Sequence, residues 1–412
     1  MLNKMFFIAA AFLLLVLQNA GATTTESDTI WSRTLPYSIK GCMFSLSSDS
    51  IITIAGDSGY DSLYILSASN GNKIKSFNAK PWVNGLNGFT HFNTKSWISI
   101  SVDADFGGMY IYDYNKDSIV NEKFGFLGEA IAINKDDKYI YVQNNNNNFK
   151  NISIYDVKNG SIVDSISTNY GQAHSLAISP NNKYLAIGTG LLKTVNPYPN
   201  DPGFEEDRMY DKLMVLNLET KKVEKEFDGP DGTEGMIRNL KFSSDGKYLG
   251  VAKLDGTVRI YDMINMVLYR NFKLCDYSDF SGPHKIAFSN DANFIYIGIR
   301  KPKRYNTEIW SIIENSYLKT LDNCSYNDLI ISKDDNILLG CSIYLTYLRP
   351  NWLTGIIEIN DISKDTNNIS INKSINSIFK LSNIIEIKSL KFYNNSGQML
   401  QLKILLISIV IT

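Results

Sequence analysis

The sequence predicts an all-β fold, a seven-bladed β-propeller of four-stranded antiparallel blades closed by the N-terminal strand. Three observations carry that expectation. Of the 412 residues, 44% are hydrophobic and 12% aromatic, with 24 Tyr and 20 Phe, a balance that fills a large core and favours strands. A pattern of short strands and polar turns recurs seven times along the chain. No copy of it contains a convincing helical periodicity. A lone four-stranded sheet cannot cover both of its faces. Seven set around an axis bury each face against a neighbour and leave only short edges.

Residues 1–22 read as an export signal. Lys4 gives the positive start, Met5 to Leu17 is an almost unbroken apolar run, and Ala20-Gly21-Ala22 places small residues before a cleavage point at Thr23. The run is shorter than the roughly 20 residues that span a bilayer, so cleavage is expected rather than anchoring. No transmembrane span is then expected in the mature protein.

Residues 23–366 form the expected propeller. The clearest repeat runs Ile237 to Asp262. It reads Leu240-Lys241-Phe242, the turn Ser244-Asp245-Gly246, the strand Tyr248 to Ala252, the turn Asp255-Gly256, and the strand Val258 to Asp262. With Phe242 as register mark, the equivalents are Leu46, Phe92, Ile133, Ile178, Phe288 and Ile331, between 41 and 64 residues apart. Each mark is followed by turn residues such as Asp136-Asp137 or Asn290-Asp291. Several third strands end in Tyr-Asp, as at Tyr112-Asp113 and Tyr155-Asp156. Ile30-Trp31-Ser32 echoes Ile309-Trp310-Ser311. The N-terminal segment is therefore expected to be the outer part of the blade built from Tyr326 to Asp361.

Turns between first and second strands are tight, while the loops between second and third strands and the blade-to-blade links are elaborated. The long segments are Asp103–Gly108, Asn144–Lys150, Gly190–Asp211, Arg300–Asn306 and Ser342–Gly355. They share one face, which is the expected binding face. Its candidate residues are Trp82, Tyr198, Phe204, Glu205, Glu206, Asp207, Lys301, Lys303, Arg304, Tyr305, Tyr347, Arg349 and Trp352. Aromatic residues with Arg are what interface centres favour. The Pro-rich Gly190–Asp211 segment reads equally as a semi-rigid flap or a solvated insertion.

Four residues before each mark stand Cys42, Gly88, Glu129, His174, Arg238, His284 and Asn327, which are expected to ring the channel mouth. Glu129, His174, Arg238, His284 and Asn327 form a candidate ligand or metal site. Two features oppose a metal. Arg238 would repel it, and first strands often begin with polar residues because the channel is wet.

A net charge of −1 carries no basic footprint for nucleic acid. Phosphate loop, dinucleotide fingerprint and nucleophile elbow are all missing, so no cofactor is expected and no catalytic residue is assigned. Cys42, Cys275, Cys324 and Cys341 read as small buried hydrophobes, with Cys42–Cys324 the pair that adjacent first and last blades would bring together.

The Ser179-Pro180-Asn181-Asn182-Lys183-Tyr184-Leu185 hairpin and the Ile260-Tyr261-Asp262 strand end resemble the β-propellers of the WD-repeat and lactonase-like (YVTN) superfamily. The resemblance covers about Ile30 to Asp361. The Gly-His pair and Trp-Asp ending of strict WD repeats are missing. In lactonase-like relatives the site lies at the channel mouth.

Residues 367–412 form a tail. Within it, Ile385 to Leu400 resembles the core of a type IX secretion C-terminal sorting domain, without the usual Asn-Pro start or closing Gly-x-Tyr strand. That resemblance implies passage across an outer membrane. Two functions follow. The first is an exported, monomeric, non-enzymatic scaffold in the periplasm, at the cell surface or outside the cell, gripping a protein or glycan through the long-loop face. The alternative is a lactonase-like or other hydrolytic propeller acting at the channel mouth. The absence of a dedicated nucleophile favours the scaffold.

Overall fold

The computed structural model describes residues 29–57, 60–78, 86–102, 108–124, 130–143, 151–167, 172–195, 206–228, 236–275, 282–301, 304–321, 328–341 and 344–348. It also describes five short strands between 357 and 402. The expected export signal, Trp82, Glu129, Tyr198, Phe204, Glu205, Lys303, Cys324, Asn327, Arg349 and Trp352 lie outside the described residues. The chain divides into two units, one of which is Thr29–Leu348.

That unit is a propeller of four-stranded antiparallel blades. Strands β2 (Ser38–Phe44), β3 (Ser50–Asp57), β4 (Tyr60–Ser67) and β5 (Lys73–Asn78) form the first sheet. Next come β6 (Leu86–His91), β7 (Trp97–Val102), β8 (Gly108–Asp113) and β9 (Ser118–Phe124). The third holds β10 (Ile131–Ile133), β11 (Tyr139–Gln143), β12 (Asn151–Asp156) and β13 (Ile162–Ser167). The fourth holds β14 (Gln172–Ile178), β15 (Tyr184–Val195), β16 (Glu206–Asn217) and β17 (Lys222–Asp228). The fifth holds β18 (Ile237–Phe242), β19 (Tyr248–Lys253), β20 (Thr257–Asp262) and β21 (Val267–Lys273). The sixth holds β22 (Gly282–Phe288), β23 (Phe294–Lys301), β24 (Arg304–Ser311) and β25 (Ser316–Leu321).

These six are each built from four consecutive strands. The last repeat read from the sequence is not. It supplies β26 (Asp328–Ile331), β27 (Ile337–Cys341) and β28 (Tyr344–Leu348), and its fourth strand is β1 (Thr29–Thr34), paired antiparallel with β28. β1 is also tied to the first sheet. Trp31 Nε1 donates to Ala68 O at 2.8 Å, and the Arg33 guanidinium donates to the carbonyls of Asn70 and Gly71. Gly71 sits at φ 69°, and a Cβ there would stand 2.6 Å from the Trp31 ring. The N-terminal segment is thus the outer strand of the last blade, as expected, although Trp310 of the echo lies in a third strand, β24, whereas Trp31 lies in a fourth.

The turns repeat because their side chains do. In every sheet but the second, where Phe92 takes its place, a Ser or Asn closes the first-to-second turn by accepting the backbone N–H at the start of the second strand. Examples are Tyr184 N to Ser179 Oγ, Tyr248 N to Ser243 Oγ, Phe294 N to Ser289 Oγ and Tyr139 N to Asn134 Oδ1. The Tyr-Asp endings have a similar reason. Asp113, Asp156 and Asp262 each accept backbone N–H groups two and three residues on, which bends the chain into the fourth strand.

The core lies between neighbouring sheets. Met43, Ile52, Ile54 and Leu63 of the first sheet pack with Ile98, Ile100 and Tyr112 of the second. Trp31, Ile39, Ile51 and Leu345 do the same between the composite sheet and the first. Sheets approach closely enough that a Cβ on Gly188 would lie 2.4 Å from Ile237.

Two long segments expected to be loops are ladder instead. Arg300 pairs with Tyr305 and Lys301 with Arg304, so Lys301, Arg304 and Tyr305 sit in a tight β23–β24 hairpin. In Gly190–Asp211 the ladder continues to Val195–Glu206, placing Glu206 and Asp207 in β16. Tyr347 is likewise not a loop residue, because it pairs with Leu338 and Trp31 inside the composite sheet. In each case strand pairing satisfies the backbone N–H and C=O groups that a loop of the same length would leave to water.

In the other unit, β29 (Ile357–Glu358) and β31 (Phe379–Lys380) pair in parallel, as do β30 (Ile369–Ile371) and β32 (Leu390–Tyr393). β32 forms an antiparallel hairpin with β33 (Met399–Leu402). Among the described residues no helix is long and apolar enough to cross a membrane.

Candidate functional site

The first strands β2, β6, β10, β14, β18, β22 and β26 each contact the next, and β26 contacts β2, so they enclose a central channel. All of them contribute to one cavity of about 300 Å³. A second cavity of about 310 Å³ shares Thr90, His91, Leu176 and Lys241 with it and continues towards the turns Asn93 and Ser244.

The strand register corrects the expected ring. Ser243 N donates to Tyr248 O, and the matching bonds start at Ser45, Phe92, Asn134, Ser179, Ser289 and Ser332. The residues equivalent to Phe242 are therefore Phe44 and His91 in the first two sheets, not Leu46 and Phe92. Both mistaken marks are apolar residues placed inside a turn. Phe92 is fully buried there, edge-on to the Trp97 ring at 5.6 Å. In place of Cys42 and Gly88, the ring takes Lys40 and Asn87. Ile133, Ile178, Phe288 and Ile331 keep their places.

With that register, the ring coincides with a recurring irregularity. Each described ring position is the residue skipped by a shift in pairing with the second strand. The shifts flank Lys40 in β2, Asn87 in β6, His174 in β14, Arg238 in β18 and His284 in β22. A bulge adds one residue without a ladder partner and re-aims its side chain, so the fold sets these residues apart at one level.

One residue further along, the side chains stitch sheets together. Ser175 Oγ accepts from Leu240 N at 3.0 Å, Asn239 Oδ1 from Ile286 N at 3.1 Å, and Asp328 Oδ2 from Cys42 N at 2.8 Å. Asp328 Oδ1 also accepts from Leu329 N. Lys285 occupies the same position in β22. Cys42, placed in the ring by sequence, is a buried free thiol of the inter-sheet core. Burial, and then the Asp328 carboxylate, push its pKa well up, so it remains protonated.

Positive charge dominates the cavity. Lys40, Arg238, Lys241 and Lys285 line it, and among the described residues Asp328 is its carboxylate. Arg238 Nη1 lies 2.9 Å from His284 Nδ1 and 3.2 Å from Nε2, and donates to whichever ring nitrogen is unprotonated. Burial first, and then Arg238, Arg300 and Lys285, push the His284 pKa down to about 3, so the imidazole is neutral. Lys241 and His91 touch water in the channel, yet the ring encloses them on every side. That enclosure lowers both pKa values, helped by Lys285 for Lys241 and by Lys241 for His91.

The structure thus brings His174, Arg238 and His284 to one level, as expected. Among the described residues no three His, Cys, Asp or Glu side chains cluster, and His284 faces a guanidinium. The missed residues are Lys40, Lys241 and Lys285. Lys241 and Lys285 stand one and three positions before their register marks, a pattern visible in the sequence once strand register is used rather than composition.

The class is that of a β-propeller bearing a WD-type repeat. Residues 221–262 match the family model described as "WD domain, G-beta repeat". The matched segment runs from β17 to the end of β20, out of phase with the sheets by one strand. That is the same offset by which β1 completes the last sheet. The chain is also similar to human "WD repeat-containing protein 36", 27% identical over 144 residues. The alignment covers 35% of this chain and 13% of that protein.

Proposed function

We propose that this protein is an exported, non-enzymatic scaffold that grips a protein or glycan through the long-loop face of a seven-bladed propeller. The composite sheet counts as the closing blade. The observation that supports a binding face is the β15–β16 ribbon. β14 pairs with β15 only as far as Gly190, and β17 pairs with β16 only from Lys212 onward. Beyond those residues, among the described residues, β15 and β16 pair with each other alone, from Gly190–Asp211 to Val195–Glu206. Five further steps of about 3.3 Å carry the ribbon about 17 Å past the blade. A two-stranded extension beyond its blade is suited to contact a partner.

Replacing Leu191–Tyr210 by Asn-Gly joins the paired residues Gly190 and Asp211 through a two-residue turn. The expected outcome is an unchanged melting temperature with loss of the partner that wild type recovers from the native envelope fraction. Recovery of the same partner by the variant would overturn the role of this face. Export is tested separately, by N-terminal sequencing of protein recovered outside the cytoplasm, with Thr23 expected as first residue.

A further inference from the structure

The channel cavity holds charge that the scaffold reading does not use. Lys40 comes from β2, Arg238 and Lys241 from β18, and Lys285 from β22. Among the described residues, none of the three lysines is in an ion pair or a hydrogen bond. Asp328 faces them, but both its oxygens already accept backbone N–H groups, one of which joins the composite sheet to the first. The imidazole of His284 lies against Arg238 and adds no negative charge.

Several cations facing one channel raise one another's energy, and a polar wall of mixed hydroxyl and amide groups would line a water channel without that cost. Elsewhere among the described residues, the buried cations Lys253 and Arg259 are matched. They share Asp255, with Lys253 Nζ 3.1 Å from its carboxylate. The channel is built on the opposite plan. Its bulges set Lys40 and Arg238 apart at one level, with Lys285 one position deeper and Lys241 three.

We propose that this cavity is a binding site for a small multivalent oxyanion of the phosphate type. Arg238 supplies the planar donor that matches two oxygens, and Lys40, Lys241 and Lys285 supply point charges around the remaining ones. At about 300 Å³ the cavity takes a tetrahedral oxyanion with room for a small attached group or bridging waters. A divalent cation is disfavoured by the same charges. The site is independent of the β15–β16 ribbon, so each is tested without the other.

The probes are inorganic phosphate, citrate as a multivalent carboxylate, and chloride at equal ionic strength, titrated into the full chain at pH 7.5 by calorimetry and thermal unfolding. Saturable phosphate binding with a sub-millimolar Kd is expected, together with a rise of several degrees in melting temperature that chloride does not produce. Lys241→Gln and Lys285→Gln should each weaken phosphate at least tenfold. In the absence of anion each should melt at or above the wild-type temperature, because repulsion is relieved; a variant that merely unfolds would melt lower. Lys158→Gln, on an exposed turn, serves as control. Citrate binding as tightly as phosphate would overturn the phosphate assignment. Equal effects of phosphate and chloride, or phosphate binding unchanged in both channel variants, would overturn the site.

Discussion

At the scale of single residues, His284 carries a measurable consequence. Three cations face it: Arg238 from β18, Lys285 from its own strand and Arg300 from β23. Its folded pKa is held at about 3, against an ordinary imidazole value of 6.5. Below pH 6.5 the unfolded chain therefore binds a proton that the folded chain refuses. Stability is complete above that value and is lost as pH falls towards 3. By pH 5 the loss from this group is about 2 kcal/mol. The pKa of His91 is lowered as well and adds to the slope. Urea midpoints at pH 8 and pH 5 read the effect. His284→Gln keeps an acceptor for Arg238 and should recover about half or more of the drop. An identical drop in the variant would exclude His284 as its source. The same enclosure explains why these residues were hard to weigh in advance. A Lys in an alternating strand reads as solvated surface, and Lys241 becomes unusual only because the other first strands close around it.

At the scale of elements, β1 is the strand whose removal should matter most for its length. Trp31 is 6% exposed, fills the space between the composite and first sheets, and donates to Ala68 O. Trp31→Ala is expected to cost about 3 to 5 kcal/mol, the range for emptying a buried aromatic site. Chemical unfolding measures it, and a change below about 1 kcal/mol would mean that β1 is not a structural strand. Elements with turn chemistry were legible in the sequence. Ser179, Ser243 and Ser289 start their hairpins, and Asp113, Asp156 and Asp262 end their third strands, each through hydrogen bonds within a few residues. Register failed where an apolar side chain entered a turn, at Leu46 and Phe92. The β15–β16 ribbon was hidden for another reason. Gly190-Leu191-Leu192 breaks the alternation that marks a strand, and the pairing of Val195 with Glu206 is set by the partner strand rather than by local pattern. The candidate ring was legible in the sheets where the mark was right, at His174, Arg238 and His284.

At the scale of the whole molecule, the offset between repeat and sheet decides how the protein unfolds. Linear repeat arrays fray from their ends, because a terminal repeat has one neighbour. Here the terminal strands meet. β1 pairs with β28, Cys42 N donates to Asp328 across 286 residues, and Lys333 Nζ donates to Leu46 O across 287. Every described sheet of the unit then has two neighbours, and opening any one exposes two apolar interfaces instead of one. Unfolding is therefore expected as a single transition, in which Trp fluorescence and far-ultraviolet circular dichroism coincide. Contacts across nearly 300 residues also make closure a late and slow step in folding. Asp328→Ala leaves the Cys42 N–H at the junction without its acceptor and should lower stability by about 1 to 3 kcal/mol. Asp328→Asn retains an oxygen there and should lose less. The transition stays single in both variants if closure by β1 holds the ring. Separate melting of the first and composite sheets, seen as early hydrogen exchange confined to β1, β2 and β28, would show instead that the ring behaves as an open array.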